Sequence, residues 1–169
     1  SSITAAISNC TGSEYTQRCA AISGILSSLQ SCEVAERWVR YGVGESLPLP
    51  GFGPPGDSWT DARAVLLDRW CSELADETGQ REQEEIANAL EECVWTLTGR
   101  SPVLEWLLIR MYAALGIEPE MHVPLMIVSR LAGWCAHVVE QVENEEPIRP
   151  RSRYWGVARQ HFERLRTRG

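Results

Sequence analysis

The sequence predicts an all-α protein, and three observations carry that expectation. Apolar residues recur at helical spacing in nearly every segment, Gly and Pro fall between the segments, and from Leu125 to Val142 the apolar character is almost continuous. At 169 residues the chain is about one domain long and can bury one core.

Residues 1–30 read as helix, with Ile3, Ile7 and Cys10 and then Cys19, Ile22, Leu26 and Leu29 at helical spacing, interrupted at Thr11-Gly12-Ser13. A short helix follows over 33–41, where Val34 and Trp38 stand one turn apart. Residues 42–57, GVGESLPLPGFGPPGD, hold too much Gly and Pro for any regular element and form a loop. Ser58 or Thr60 caps the next helix, whose apolar face is Ala62, Val65, Leu66, Trp70 and Leu74, and Gly79 stops it. Over 82–98 Ile86, Leu90, Cys93, Val94 and Leu97 make an amphipathic stripe, its acidic outer face solvated, and Gly99 ends it. Ser101-Pro102 supplies the cap and first turn of another helix.

Pro124 fits the first turn of a long helix. Its apolar residues, from Leu125 and Met126 through Leu131 to Val142, predict burial on more than one side. Arg130 lies inside that run, and a buried guanidinium needs an anion beside it. A plainer alternative is that Arg130, His137, Gln141 and Asn144 form a wet stripe. Pro147 and Pro150, interleaved with Arg149, Arg151 and Arg153, then form a stiff arm of guanidinium groups or a solvated tail. Trp155, Ala158, Phe162 and Leu165 predict a short terminal helix.

A formal net charge of −7 argues against nucleic acid as a partner. The six cysteines form no CxxC pair and have no histidine at ligand spacing, so no metal is expected. No signal peptide is apparent, and no segment reads as a bilayer span, so a cytoplasmic protein without a membrane partner is the expectation. The seven tryptophans read as core and interface anchors.

Two separated motifs, SRLAGWCAHVVEQ and then IRPRSRYWG, resemble the C-terminal signature of the citrate synthase family. The resemblance runs from Ser1 to Gly156. It implies an all-α fold with large-domain-type helices over 1–30, a small domain over 31–116, and a C-terminal large-domain helix and arginine-rich arm over 117–169. It also implies that Arg130 grips a carboxylate of oxaloacetate or citrate, and that Arg149 reaches across a dimer. Asp61-Ala62-Arg63 resembles the family's Asp-Pro-Arg, which makes Arg63 the second carboxylate clamp.

The chemistry-bearing positions depart from the family. Gln30 stands where the carbonyl-polarising histidine belongs, and Gly51-Phe52-Gly53-Pro54 replaces Gly-Phe-Gly-His. Glutamine can donate a hydrogen bond but cannot deliver a proton, and Pro54 can do neither. SPVLEW resembles the family's Pro-Asn-Val-Asp-Phe, which puts Glu105 at the position of the base that deprotonates the acyl group. Its extra methylene moves the carboxylate by about an ångström, a displacement that can cost about a hundredfold in rate. Glu105 could otherwise be a first-turn acid at a helix dipole, or the partner of a buried arginine such as Arg130.

Two functions follow as expectations. One is a divergent citrate synthase-like enzyme that condenses an acyl thioester, such as acyl-CoA, with a 2-oxoacid, or runs the cleavage. The other is a non-catalytic subunit that binds a di- or tricarboxylate. The family's first active-site histidine and N-terminal half would precede residue 1, so a dimer or a complex with an N-terminal citrate synthase-like half is expected. Helices parted from those neighbours would expose apolar surface that something should cover.

Overall fold

The computed structural model describes residues 2–54, 62–144 and 155–156. Among the described residues the chain forms helices α1 (Ser2–Cys10), α2 (Ser13–Ser28), α3 (Cys32–Gly44), α4 (Ala62–Thr78), α5 (Arg81–Thr98), α6 (Leu104–Ala114) and α7 (Pro119–Glu143), with no strand. The all-α expectation holds, and the break at residues 11–12 falls where Gly12 was expected to place it. α3 lies on α5 and α4 on α6, while α1 and α2 pack against α7; α2 also touches α6 and so joins the two groups. Ile22, Val39, Leu90, Val94, Trp106 and Leu107 form the fully buried centre.

Helix ends follow local chemistry. Ser31 caps α3, its Oγ accepting the Val34 N–H at 3.3 Å. Gly99 ends α5 in the left-handed conformation, φ 65°, and its N–H reaches the Trp95 carbonyl at 2.8 Å.

Three element boundaries and two faces differ from the expectation; on α5, Glu84 and Glu91 of the acidic face expected to be solvated are only 12% and 11% exposed. α3 continues to Gly44, beyond the expected end at Tyr41. Ser101-Pro102 does not open α6. Gly53 N–H donates to the Ser101 carbonyl and Val103 N–H to the Gly51 carbonyl, each at 2.9 Å, and Phe52 and Pro102 form an antiparallel bridge. These long-range bonds hold residues 101–103 extended, so the helix begins only at Leu104. α7 starts at Pro119, leaving Pro124 inside the helix rather than in its first turn. On α4 the buried row is Ala64, Leu67, Cys71 and Ala75, whereas Val65, Leu66 and Trp70 are 58%, 38% and 40% exposed. Small side chains let α6 approach closely, and that close packing outweighs the burial of the bulkier row.

The long helix departs furthest. Of α7 only His122 and Ile127 are buried, so the expectation of burial on more than one side is not met. α7 is also long and apolar enough to cross a bilayer, contrary to the expectation that no segment is. The terminal helix expected after Tyr154 lies outside the described residues, apart from Trp155 and Gly156, which are exposed.

Phe52 packs on Trp106 with ring centroids 4.9 Å apart. Gly51 makes this contact possible: its φ is +90°, and a Cβ there would sit 2.6 Å from Trp106 Cε3. Gly51→Ala is therefore expected to cost about 2 kcal/mol or more, through backbone strain and overpacking, measured as a lower urea midpoint.

Candidate functional site

The candidate residues stand mostly at helix ends. Glu105 is in the first turn of α6 and half-buried, where the helix dipole favours its charge. The Phe52–Pro102 bridge brings the loop that carries exposed Pro54 next to this end of α6. Gln30 is exposed between buried Leu29 and the Ser31 cap. Arg63 is exposed in the first turn of α4 and has an interaction partner. Arg149 lies outside the described residues.

Tyr15 of α2 joins two of these elements. Its hydroxyl donates to Met126 Sδ on α7 at 2.7 Å. Burial, and then the negative charge of Glu105, pushes the Tyr15 hydroxyl well above the usual phenol range. Arg130 follows Met126 by one turn and therefore projects from the same side of α7. Tyr15 thus links α2 to α7 one turn before Arg130, and its hydroxyl feels the charge of Glu105 on α6. Gln30 makes no hydrogen bond to this group.

Arg130 is exposed, not buried, and so requires no internal counter-ion. The arginine that does is Arg110 of α6, whose side chain is 2% exposed. Its guanidinium pairs with Glu91, with Glu84 at 2.5 Å and with Asp68 at 3.6 Å, and it donates to Asn88 Oδ1 at 3.0 Å. Trp106 Nε1 donates to the same Glu91 oxygen at 2.6 Å. Burial pushes the Glu91 carboxyl up, against the opposing pull of Arg110 and Trp106. Opposite charge outweighs burial at Arg110 and pushes its pKa further up. A buried guanidinium held by carboxylates, expected at Arg130, is found at Arg110 instead. The signal was present, since Arg110 interrupts the apolar run Trp106-Leu107-Leu108-Ile109 and Met111.

A cleft of about 260 Å³ lies between α2, the α4–α5 turn and the C-terminal half of α6, with Ser23, Glu84, Arg110 and His122 among its walls. None of Gln30, Arg63, Glu105 or Arg130 lines it. His122 is fully engaged there, its Nδ1 with Ser23 Oγ at 3.2 Å and its Nε2 with the Ile117 carbonyl at 3.0 Å. Among the described residues no group of three His, Cys, Asp or Glu side chains could hold a metal ion. Cys71 is a buried thiol, pushed up to about 12 by desolvation.

The described residues thus form an all-α assembly with an acid in the first turn of α6 and an exposed arginine on α7. Residues 1–151 match the family model of the citrate synthase C-terminal domain, and the chain belongs to the citrate synthase family. Citrate synthase 2 of Bacillus subtilis is 30% identical over 162 residues, which are 96% of this chain and 44% of that protein. The citrate synthase of Haloferax volcanii is 30% identical over 157 residues, 92% of this chain and 41% of that one. Among solved structures, citrate synthase of Thermoplasma acidophilum in ternary complex with carboxymethyl coenzyme A and oxaloacetate superposes with a TM-score of 0.73. That match is 24% identical and covers 96% of this chain and 45% of the other. Citrate synthase of Thermotoga maritima gives a TM-score of 0.66 at 26% identity, covering 94% of this chain and 44% of that one. The chain thus spans less than half the length of the relatives it matches.

Proposed function

We propose that this chain carries part of a divergent citrate synthase-type site, in which an acyl thioester and a 2-oxo dicarboxylic acid are joined or the product is cleaved. Arg130, with Arg63 and Arg149, holds the carboxylates of the acid. Glu105 takes the α-proton of the acyl group, and the resulting enolate carbon attacks the ketone carbon to form the new C–C bond. The ketone oxygen becomes an alkoxide that takes up a proton, with Gln30 donating a hydrogen bond to the carbonyl beforehand. Water then cleaves the thioester and releases the thiol. The remaining walls come from an N-terminal citrate synthase-like half, in a dimeric cytoplasmic assembly. The observation that supports this reading most is the match of residues 1–151 to the citrate synthase C-terminal domain, with Glu105 in the first turn of α6.

The second reading, a non-catalytic subunit that binds the oxyacid, draws on a specific observation. Among the described residues neither histidine is free to act: His122 is buried and engaged, and exposed His137 pairs with Glu140 at 3.2 Å. Thiol release and α-proton exchange, followed with acetyl-CoA and oxaloacetate, separate the two. The enzyme reading expects exchange that Glu105→Gln abolishes and Glu105→Asp keeps. Exchange unaffected by Glu105→Gln would remove Glu105 from the reaction, and no exchange in any form would leave the binding subunit.

A further inference from the structure

The cleft between α2, the α4–α5 turn and the C-terminal half of α6 is not used by the proposed chemistry, since none of Gln30, Arg63, Glu105 and Arg130 lines it. Its volume of about 260 Å³ exceeds the roughly 150 Å³ that holds a benzene ring, which leaves room for a molecule of about ten heavy atoms. Leu26, Ala87, Ile109, Ala113 and Ile117 supply apolar wall. Residues of α2 and of the start of α7 form one side, and residues of α4, α5 and α6 the other, so a molecule seated here touches both groups of helices.

The polar groups in the wall decide what fits, and most of their donors are already spent. Ser23 Oγ and His122 Nδ1 bond each other at 3.2 Å, and His122 Nε2 donates to the Ile117 carbonyl at 3.0 Å. Ser27 Oγ donates to the Ser23 carbonyl at 2.8 Å, and Gln80 Nε2 to the Ala114 carbonyl at 2.9 Å. Arg110 gives its terminal nitrogens to Glu91, Glu84 and Asn88, and its Nε, though unpartnered, is buried. Acceptors are what remain: Ser27 Oγ, Gln80 Oε1 and the Glu84 carboxylate, whose Oε1 accepts from Ser72 and Arg110 while its Oε2 makes no hydrogen bond among the described residues. Charge points the same way, because Arg110 meets three carboxylates, those of Glu84, Glu91 and Asp68. An anion would find few donors and an unfavourable field. We infer that this cleft binds a small organic cation, a primary ammonium group on an apolar body of about ten heavy atoms. The ammonium group bonds Glu84 Oε2 and Gln80 Oε1, and the body lies against Leu26 and Ile109. The inference does not rest on the proposed condensation chemistry.

The test titrates 2-phenylethylammonium into the full chain by calorimetry, beside 2-phenylethanol and phenylacetate, which are similar in size but neutral and negatively charged. The expected result is saturable binding of the amine, with the alcohol weaker by about tenfold or more and phenylacetate not bound. The ring protons of the amine should show nuclear Overhauser contacts to the Ala87 and Ile109 methyl groups. Glu84→Gln keeps the shape of the wall and should weaken the amine by about tenfold while leaving the alcohol unchanged. Glu84 also holds Arg110, so a second variant guards against a folding defect. Ser27→Phe, at an exposed position on the cleft wall, should obstruct the cleft and weaken amine and alcohol alike, whereas Val65→Phe on exposed α4 should weaken neither. Amine binding that survives Ser27→Phe overturns the inference, as does alcohol or phenylacetate binding as tight as the amine. The absence of saturable amine binding overturns it as well. Citrate binding is read separately, so its failure counts against the proposed function and not against this cleft.

Discussion

Replacing Arg110 with methionine is expected to destabilise the chain by about 3–5 kcal/mol, seen as a collapse of the urea midpoint. The cost does not come from losing a favourable ion pair alone. Arg110 is the cation that compensates Glu84 and Glu91, whose side chains are only 12% and 11% exposed, and its removal strands both carboxylates away from water. Adding Glu91→Gln to Arg110→Met should recover part of the loss, because it removes one of the stranded charges. A cost below about 1 kcal/mol for Arg110→Met would mean that the cluster contributes nothing beyond what a surface pair does.

Trp106→Ala is expected to cost at least as much as a large buried truncation, about 3–5 kcal/mol. Trp106 is fully buried, supports Phe52 at 4.9 Å, and donates to the Glu91 oxygen that Arg110 also holds. The truncation opens a cavity in the core and withdraws one of the two donors from a buried carboxylate. Because Trp106 and Arg110 share that oxygen, the double substitution should fall short of the sum of the singles, and a double-mutant cycle on urea midpoints measures the coupling. Additive costs would show that the shared carboxylate does not link the two residues.

Much of this was legible in the sequence because helical spacing and Gly breaks are local signals. The α5 stripe of Ile86, Leu90, Cys93 and Val94 is buried as its periodicity predicts, while Leu97 at its end is 39% exposed. What the sequence concealed depended on distant partners. Ser101-Pro102 has the letters of a helix start, yet hydrogen bonds to residues 51 and 53 keep it extended. On α4, hydrophobicity favoured Val65, Leu66 and Trp70, but the smaller Ala64, Cys71 and Ala75 fit against a neighbouring helix. The same reasoning that placed an anion beside a charged residue in an apolar run applied to Arg110, where α5 supplies Glu84 and Glu91, and not to Arg130, where solvent takes that role. Family motifs point to Glu105, Gln30 and Arg63, while Tyr15, whose hydroxyl bonds Met126 of α7, carries no motif and emerges only from the packing.

Under the proposed function, Arg130 helps to hold a small, multiply acidic molecule. Calorimetric titration of citrate and of oxaloacetate into the wild-type chain and Arg130→Ala tests it most directly. The expected result is saturable binding to the wild type, weakened about tenfold to a hundredfold by Arg130→Ala, in line with the loss of a charge-assisted hydrogen bond worth about 1.5–3 kcal/mol. Equal heats from the two proteins, or no binding to either, would contradict it.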